Sequence, residues 1–407
     1  MATILQGVRV LEFGPLVALP ITGRILASLG AEVIKLETNR ALDEMNYIPS
    51  WEPGAGQPEY QALKRRATLD VRHPKAKELF GRLVQVCDVF ITNFRRDVLS
   101  RWGIDFPLVR QFNPKLIILW QTGMGSSGPY GTYKIYGNLV QHICGISAMT
   151  GEAGPTPAVA NTSYSDYHAM VFQPMAIIGA LEKRRRTGQP SFIECSIFTS
   201  GVVTVGPALL DFQANARLPQ RMGNRDLFYA PYNTYPCRGT DRWCAICVSS
   251  EEQWEKLCRA MGNPPWTQDP RFASMADRVR HVQELDKLIS QWTQGQEAVA
   301  LAEALQAAGV PAGYVAKGED LAQSRHLQER GFYQETQYYI PERGKPGVTW
   351  GLGPSTWAWT LPARFSQTPA VTGPMKRPGD DNDYVYGELL KLTPQEREAL
   401  AKEGLFE

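Results

Sequence analysis

The chain has 407 residues, with 43 Lys plus Arg against 41 Asp plus Glu and 43% apolar residues. This length predicts more than one domain and a core large enough to need no disulfide or metal staple. A formal charge of +2 gives no strong long-range field, which excludes a dedicated nucleic-acid binder or a polybasic membrane anchor, and the composition excludes wholesale disorder.

The first strand is predicted at Val8 to Phe13. Helical spacing at Ile21, Ile25, Leu26 and Leu29 follows, stopped by Gly30. Val33 to Leu36 reads as a strand, Leu79 to Val84 as a helix, Val89 to Ile91 as a strand and Leu116 to Trp120 as a strand buried on both faces. This alternation implies an α/β fold with a parallel, doubly wound sheet. Met170 to Leu181 is the most apolar window, but it holds Gln173 and Pro174 and is too short and polar to span a bilayer.

From about Arg221 the texture becomes that of a smaller α+β domain. Trp243 to Val248 reads as a strand, and Glu251 to Met261 and Val279 to Leu305 read as helices. Pro and Gly cluster at Pro341 to Pro354 and at Pro369 to Gly379, which predicts a long return connection over the surface. Thr393-Pro394-Gln395-Glu396 is a capping box that opens a C-terminal helix. The start shows no secretory signal pattern, and seven scattered cysteines fit reduced thiols, so the expected location is cytoplasmic.

Four features invite a chemical reading. Gly123-Met124-Gly125-Ser126-Ser127-Gly128 fits G-x-G-x-x-G. It is followed by Pro129 rather than a helix and sits after the wrong strand for a dinucleotide fingerprint, so it reads as a loop that lets a ligand approach closely. Cys244 and Cys247 lie three apart on a predicted strand, on opposite faces, and read as packed cysteines rather than metal ligands. Lys183 to Arg186 reads as a solvated helix C-terminus. Asp166, just ahead of the helix running to Lys183, reads first as a plain N-cap. The alternative is a carboxylate nucleophile kept ionised by the helix N-terminus.

The chain resembles the family III CoA transferases, which include formyl-CoA and carnitine CoA transferases. The resemblance is carried by Leu5 to Glu12, Gly30 to Glu37, Thr68-Leu69-Asp70 with Pro74, Asp88-Val89-Phe90 with Asn93-Phe94, Asn113 to Leu116, Gly123-Met124-Gly125 with Gly128-Pro129, Asp166 with Ala180-Leu181 and Thr187-Gly188, Gly309 to Gly313, and Arg330-Gly331-Phe332. It implies a Rossmann-like large domain from both chain ends (1–205 and 336–407), a small domain over 221–335, and an interlocked dimer. It also implies Asp166 as the nucleophile. CoA is then the substrate, with no metal or further cofactor. Its contacts fall on Val17, Ala18, Leu69, Arg72, Asn93, Phe94, Arg95, Arg101, Lys134, Ile135, Tyr136 and Gly137.

The resemblance further implies transfer of CoA from an acyl-CoA thioester to a carboxylic acid through aspartyl anhydride and aspartyl-CoA thioester intermediates. A mobile loop over the site is expected in Arg221 to Tyr235. Its arginines, Arg221 and Arg225, suggest succinyl-CoA as donor and a C4 or C5 dicarboxylate, such as malate, citramalate or mesaconate, as acceptor. Some relatives are α-methylacyl-CoA racemases, but these place a His where this chain has Tyr136, a weak base at its usual pKa of about 10. Arg40 is expected to replace an adenine-side arginine missing at Thr38. A heteromer with a paralogue is the alternative to a homodimer.

Overall fold

The computed structural model describes residues 2–40, 43, 45, 57–159, 162–342, 349–368, 371 and 373–406. They divide into two compact units. The larger comprises Met1–Ile146, Val159–Arg217 and His326–Glu407, and the smaller comprises Ser147–Ala158 and Leu218–Arg325.

The large unit is built on six parallel strands: β1 (Arg9–Phe13), β2 (Glu32–Glu37), β3 (Arg65–Thr68), β4 (Val89–Thr92), β5 (Ile117–Thr122) and β6 (Phe192–Ser196). Their order in the sheet is β3-β2-β1-β4-β5-β6. Alternate residues serve two cores, as the pleat requires. Leu11, Ile34, Phe90 and Ile118 face one side with Phe80, Leu83, Val109, Val385 and Tyr386. Val10, Val33, Ile91 and Leu119 face the other with Leu19, Leu26, Ile177 and Ala180. Helices α1 (Ala18–Ser28), α2 (Gln57–Gln61), α3 (Ala76–Gln85), α4 (Arg96–Arg101), α5 (Phe106–Phe112), α6 (Gly137–Ile143), α7 (Ile146–Met149), α8 (Tyr164–Thr187), α9 (Ile197–Thr204) and α10 (Gly206–Asn215) connect the strands or follow them.

Strand order reverses between β1 and β4, so their outgoing turns diverge and leave a crevice at the carboxyl edge. A buried charge cluster fixes the first of those turns. Lys64 Nζ lies 2.8 Å from Glu12 and Lys35 Nζ 3.0 Å from it, all three side chains being withdrawn from water. Burial pulls Lys64 down to about 7 against the attraction of Glu12. Lys35 also donates to the Gly14 carbonyl at 2.5 Å and stands 3.7 Å from Asp43. Asp43 in turn accepts from the Leu16 N–H at 3.0 Å, holding a leucine at φ +74°, a conformation that is costly for a residue with a β-carbon.

The strands read from the sequence are present, and two further ones complete the sheet. β3 reads Arg-Arg-Ala-Thr and gave no apolar signal. It is nevertheless buried, because Arg66 makes a two-pronged pair with Glu37 at 2.7 and 2.9 Å and Arg65 meets Asp381 at 2.9 Å. The expected return connection is different in kind. Tyr333–Glu342 (β10) and Thr349–Trp359 (β11) form an antiparallel hairpin, although 343–348, 369–370 and 372 lie outside the described residues. Its far strand packs on α1, with Arg24 donating to the Trp359 carbonyl at 2.9 Å. Arg330-Gly331-Phe332 leads into this hairpin and so belongs to the large unit rather than the small one. The capping box is made: Thr393 Oγ accepts from Glu396 N, and Glu396 Oε2 accepts from Thr393 N at 2.7 Å.

The small unit is a three-stranded antiparallel sheet, β7 (Tyr232–Pro236), β8 (Trp243–Cys247) and β9 (Ala312–Tyr314), in the order β7-β8-β9. It packs with α11 (Glu251–Ala260), α12 (Met275–Arg280), α13 (Val282–Thr293) and α14 (Ala298–Ala307). The single helix expected over Val279 to Leu305 is therefore broken. Glu297 caps the last piece by accepting from Val299 N and Ala300 N. Cys244 is buried and Cys247 half-buried on opposite faces of β8.

Candidate active site

The crevice at the carboxyl edge holds a cavity of about 760 Å³, all of it within the large unit. The turn after β1 contributes Pro15 to Ala18, and the turn after β4 contributes Asn93 to Val98. β5 and the glycine-rich loop contribute Trp120 to Ser126. The approach to α6 contributes Gly131 to Asn138, and Ser163, Asp166 and Ile197 close the wall. Gly123 to Gly128 thus forms loop beside a cavity and opens no helix.

Asp166 sits in the first turn of α8, and Ser163 rather than Asp166 occupies the cap position. The helix continues unbroken through Pro174. The start of α8 is tied to the start of α6: Ser165 Oγ donates to the Gly137 carbonyl at 2.9 Å, and Gln141 donates to the Thr162 carbonyl at 2.9 Å. This closeness explains the glycine at 137. A β-carbon there would stand 2.1 Å from Asp166 Oδ2 and 2.6 Å from its Cγ, which no packed side chain tolerates.

Asp166 is only 8% exposed. Burial pushes its carboxyl up to about 6. Ser163 pulls the other way, its hydroxyl beside the carboxylate but short of full hydrogen-bond geometry. Asp166 is therefore more basic than a surface aspartate yet ionised at neutral pH. His168 is no proton partner for it, since its ring lies against Thr204 at 3.3 Å and over Tyr164. Deeper in the wall, Thr22 Oγ donates to Gln173 at 2.8 Å and Gln173 donates to Gln121 at 2.9 Å. That chain ties α1, α8 and β5 together behind the nucleophile candidate.

Of the residues singled out by the sequence, Val17, Ala18, Asn93, Phe94, Arg95, Lys134, Ile135, Tyr136, Gly137 and Asp166 all line this cavity. Asn93 also braces it, donating to the Pro15 carbonyl at 2.7 Å across the divergence point. Phe94 packs edge-to-face on Trp102 and at a tilt on Phe13, with its carbonyl held by Trp120 Nε1 at 3.0 Å.

Leu69, Arg72 and Arg101 do not reach it. Leu69 is buried in the core beyond β3. Arg72 sits on Asp70 at 2.9 Å with Arg40 on the same carboxylate at 3.2 Å. Arg101 is at the far end of α4, its side chain 72% exposed. Arg221 and Arg225 are also occupied within the small unit, the first by the Ala148 and Gly154 carbonyls and the second by Asp286 at 3.0 Å. Ser163, Arg96 and the Thr22–Gln173–Gln121 chain were not found from the sequence. Only the serine had a visible signal, its place three residues ahead of an aspartate at a helix start.

Gly137→Ala is expected to leave the fold intact, with a cost of about 1–3 kcal/mol, while displacing the carboxylate. Melting and the cavity's chemistry should therefore part company. Asp166 carries a raised pKa in the fold, so it favours the folded state when protonated and that contribution is lost as pH rises through about 6. Asp166→Asn should consequently gain stability over the parent across the interval from about pH 4 to 6, reaching about 1–3 kcal/mol above it. Urea unfolding at pH 4 and pH 7.5 reads this difference.

The model of CoA-transferase family III matches residues 5–379. The chain is 32% identical to the succinyl-CoA–D-citramalate CoA-transferase of Chloroflexus aurantiacus, over 96% of this chain and 94% of that one. It is 30% identical to the succinate–glutarate CoA-transferase of Agrobacterium fabrum, over 95% of each. It is also 30% identical to a probable CoA-transferase of Mycobacterium tuberculosis, of whose length it spans 50%. Among solved structures, a CaiB/BaiF family protein from Brucella suis superposes with a TM-score of 0.85 at 27% identity, covering 96% of this chain and all of that one. A carboxylate set into a cavity at the divergence point of a six-stranded parallel sheet thus belongs to a chain that is a member of CoA-transferase family III and a CoA transferase.

Proposed function

We propose that Asp166 is the covalent nucleophile of this transfer. Its carboxylate oxygen bonds to the thioester carbonyl carbon, the carbon–sulfur bond breaks, and CoA leaves as thiolate. The thiolate then adds to Asp166 Cγ and expels the donor as a carboxylate, leaving an aspartyl-CoA thioester. The acceptor carboxylate runs the same two steps in reverse. Thiols near pKa 8.5 and carboxylic acids near 4 both leave as anions at neutral pH. The sequence balances with CoA as substrate and calls on no metal or redox cofactor.

The observation that carries this reading is Asp166 itself, an ionisable group pushed up to about 6 by burial and placed at a cavity wall. A carboxylate is a weak nucleophile in water. Withdrawing it from solvent and fixing it against α6 raises its reactivity by positioning, and keeping water out protects the anhydride from hydrolysis. The thioester end of CoA lies over the carboxyl ends of β1, β4 and β5, between Val17-Ala18 and Ile135 to Gly137. We assign Lys134 and Arg95, both in the cavity lining, to its phosphates.

The names of the Chloroflexus and Agrobacterium relatives support succinyl-CoA as donor and a C4 or C5 dicarboxylate as acceptor. The small unit's arginines do not carry this preference, being already engaged. Arg96 is instead a cation on the cavity rim with no carboxylate partner among the described residues. We further propose a homodimer. Exposed apolar side chains on α8 to α10, including Met175 at 61% and Leu210 at 66%, favour a covered face there. No single helix among the described residues is long and apolar enough to cross a membrane.

Incubation with succinyl-CoA and hydroxylamine should convert Asp166 to a hydroxamate, seen by mass spectrometry of the peptide that contains it. Activity should fall in step with the modification, and to the same extent whichever acceptor is assayed, because every transfer uses this carboxylate. Asp166→Asn should lose at least about 10³-fold in kcat, since no covalent step remains. Full turnover by that variant would remove the reading.

A further inference from the structure

A serine at a helix cap normally accepts a hydrogen bond from the first amides of the helix. Ser163 does not. The Asp166 N–H goes instead to the Ser163 backbone carbonyl at 2.9 Å, and no cap bond is made by the side chain. Ser163 Oγ is nevertheless out of water, with no hydrogen-bond partner among the described residues. An unmatched buried hydroxyl costs free energy, so its place is explained by an acceptor that arrives or strengthens later.

The neighbouring atoms identify that acceptor. Ser163 Oγ and Asp166 Oδ2 stand 2.0 and 2.1 Å from one point, the place a β-carbon on Gly137 would fill. Both residues line the same cavity. The hydroxyl and this one oxygen of the carboxylate therefore meet at the same point, on the side of α6.

We infer, resting on Asp166 as the nucleophile, that Ser163 is a further catalytic residue whose hydroxyl holds Asp166 Oδ2 while Oδ1 attacks and then stabilises negative charge on Oδ2. That charge arises in the second step. The CoA sulfur bonds to Asp166 Cγ, and the C=O electron pair moves onto Oδ2. The pair then returns as the bond to the departing carboxylate breaks. The serine proton stays on its own oxygen throughout, as a donor to an oxyanion, so no acid or base is consumed. A donor aimed at the oxygen where charge develops contributes more to the transition state than to the resting enzyme.

The test compares Ser163→Ala and Ser163→Thr with the parent, reading kcat, KM for succinyl-CoA, and the CoA adduct on Asp166 by intact-protein mass. Loss of one such donor is expected to lower kcat by about 10²-fold for the alanine variant, with KM moving by less than about threefold and the adduct forming more slowly. The threonine variant keeps a hydroxyl and should recover at least about tenfold of that loss. Parental kcat in the alanine variant overturns the proposal. So does equal loss in both variants together with a lowered melting temperature, which is the mark of a packing role. A parent protein that never acquires CoA on Asp166 overturns the nucleophile reading, and the serine's role with it. A parent that does, beside an unimpaired alanine variant, overturns the serine alone.

Discussion

The site depends on one close approach, the carboxylate of Asp166 lodged against the first residue of α6. It fits because position 137 carries no side chain. Taking a carboxylate out of water is unfavourable, and among the described residues no buried cation is placed beside this one to offset it. The remaining imbalance appears as a pKa pushed up to about 6. A cation would have stabilised the fold and spoiled the nucleophile, because a salt-bridged carboxylate is held down and loses basicity. The contrast with Glu37 is direct: it is also buried, but Arg66 leads the groups that draw its carboxyl below the ordinary range despite burial.

Around that approach the scaffold is stiff where charge is buried. Glu12, Lys35, Lys64 and Asp43 form a chain under the β1–α1 turn and hold Leu16 in a left-handed conformation, so Val17 and Ala18 meet the cavity in one orientation. Asn93 joins this turn to the one after β4. The polar chain Thr22–Gln173–Gln121 fixes α8 against α1 and β5, some two turns behind the nucleophile. A buried polar chain such as Thr22–Gln173–Gln121 favours one arrangement over near neighbours, and a nucleophile that works by position needs one arrangement.

Much of this was legible in the chain itself. Apolar strands such as Ile117–Leu119 declare a parallel sheet, and the order of short motifs points to the family and to Asp166. Several features were not legible, for physical reasons. β3 hides because arginines can be buried once Glu37 and Asp381 pair with them, and partners 29 and 316 residues away leave no local pattern. The β10–β11 hairpin hides behind Pro and Gly that ordinarily break strands. Arg221 and Arg225 looked available for a substrate because their partners, two backbone carbonyls and Asp286, lie far along the chain. Taken apart from those motifs Asp166 reads as an ordinary cap, whereas in the fold Ser163 holds the cap position and Asp166 is buried in the first turn.

The most direct measurement of the central claim follows oxygen rather than rate. During turnover with an acceptor acid carrying ¹⁸O in its carboxylate, the bridging oxygen of the second anhydride comes from that acid and remains on the aspartate when CoA departs with the acyl group. The peptide holding Asp166 should therefore gain one ¹⁸O in the first turnover and never hold more than two, while the released donor acid carries label in later turnovers. Sustained transfer with no label in that peptide would contradict the account.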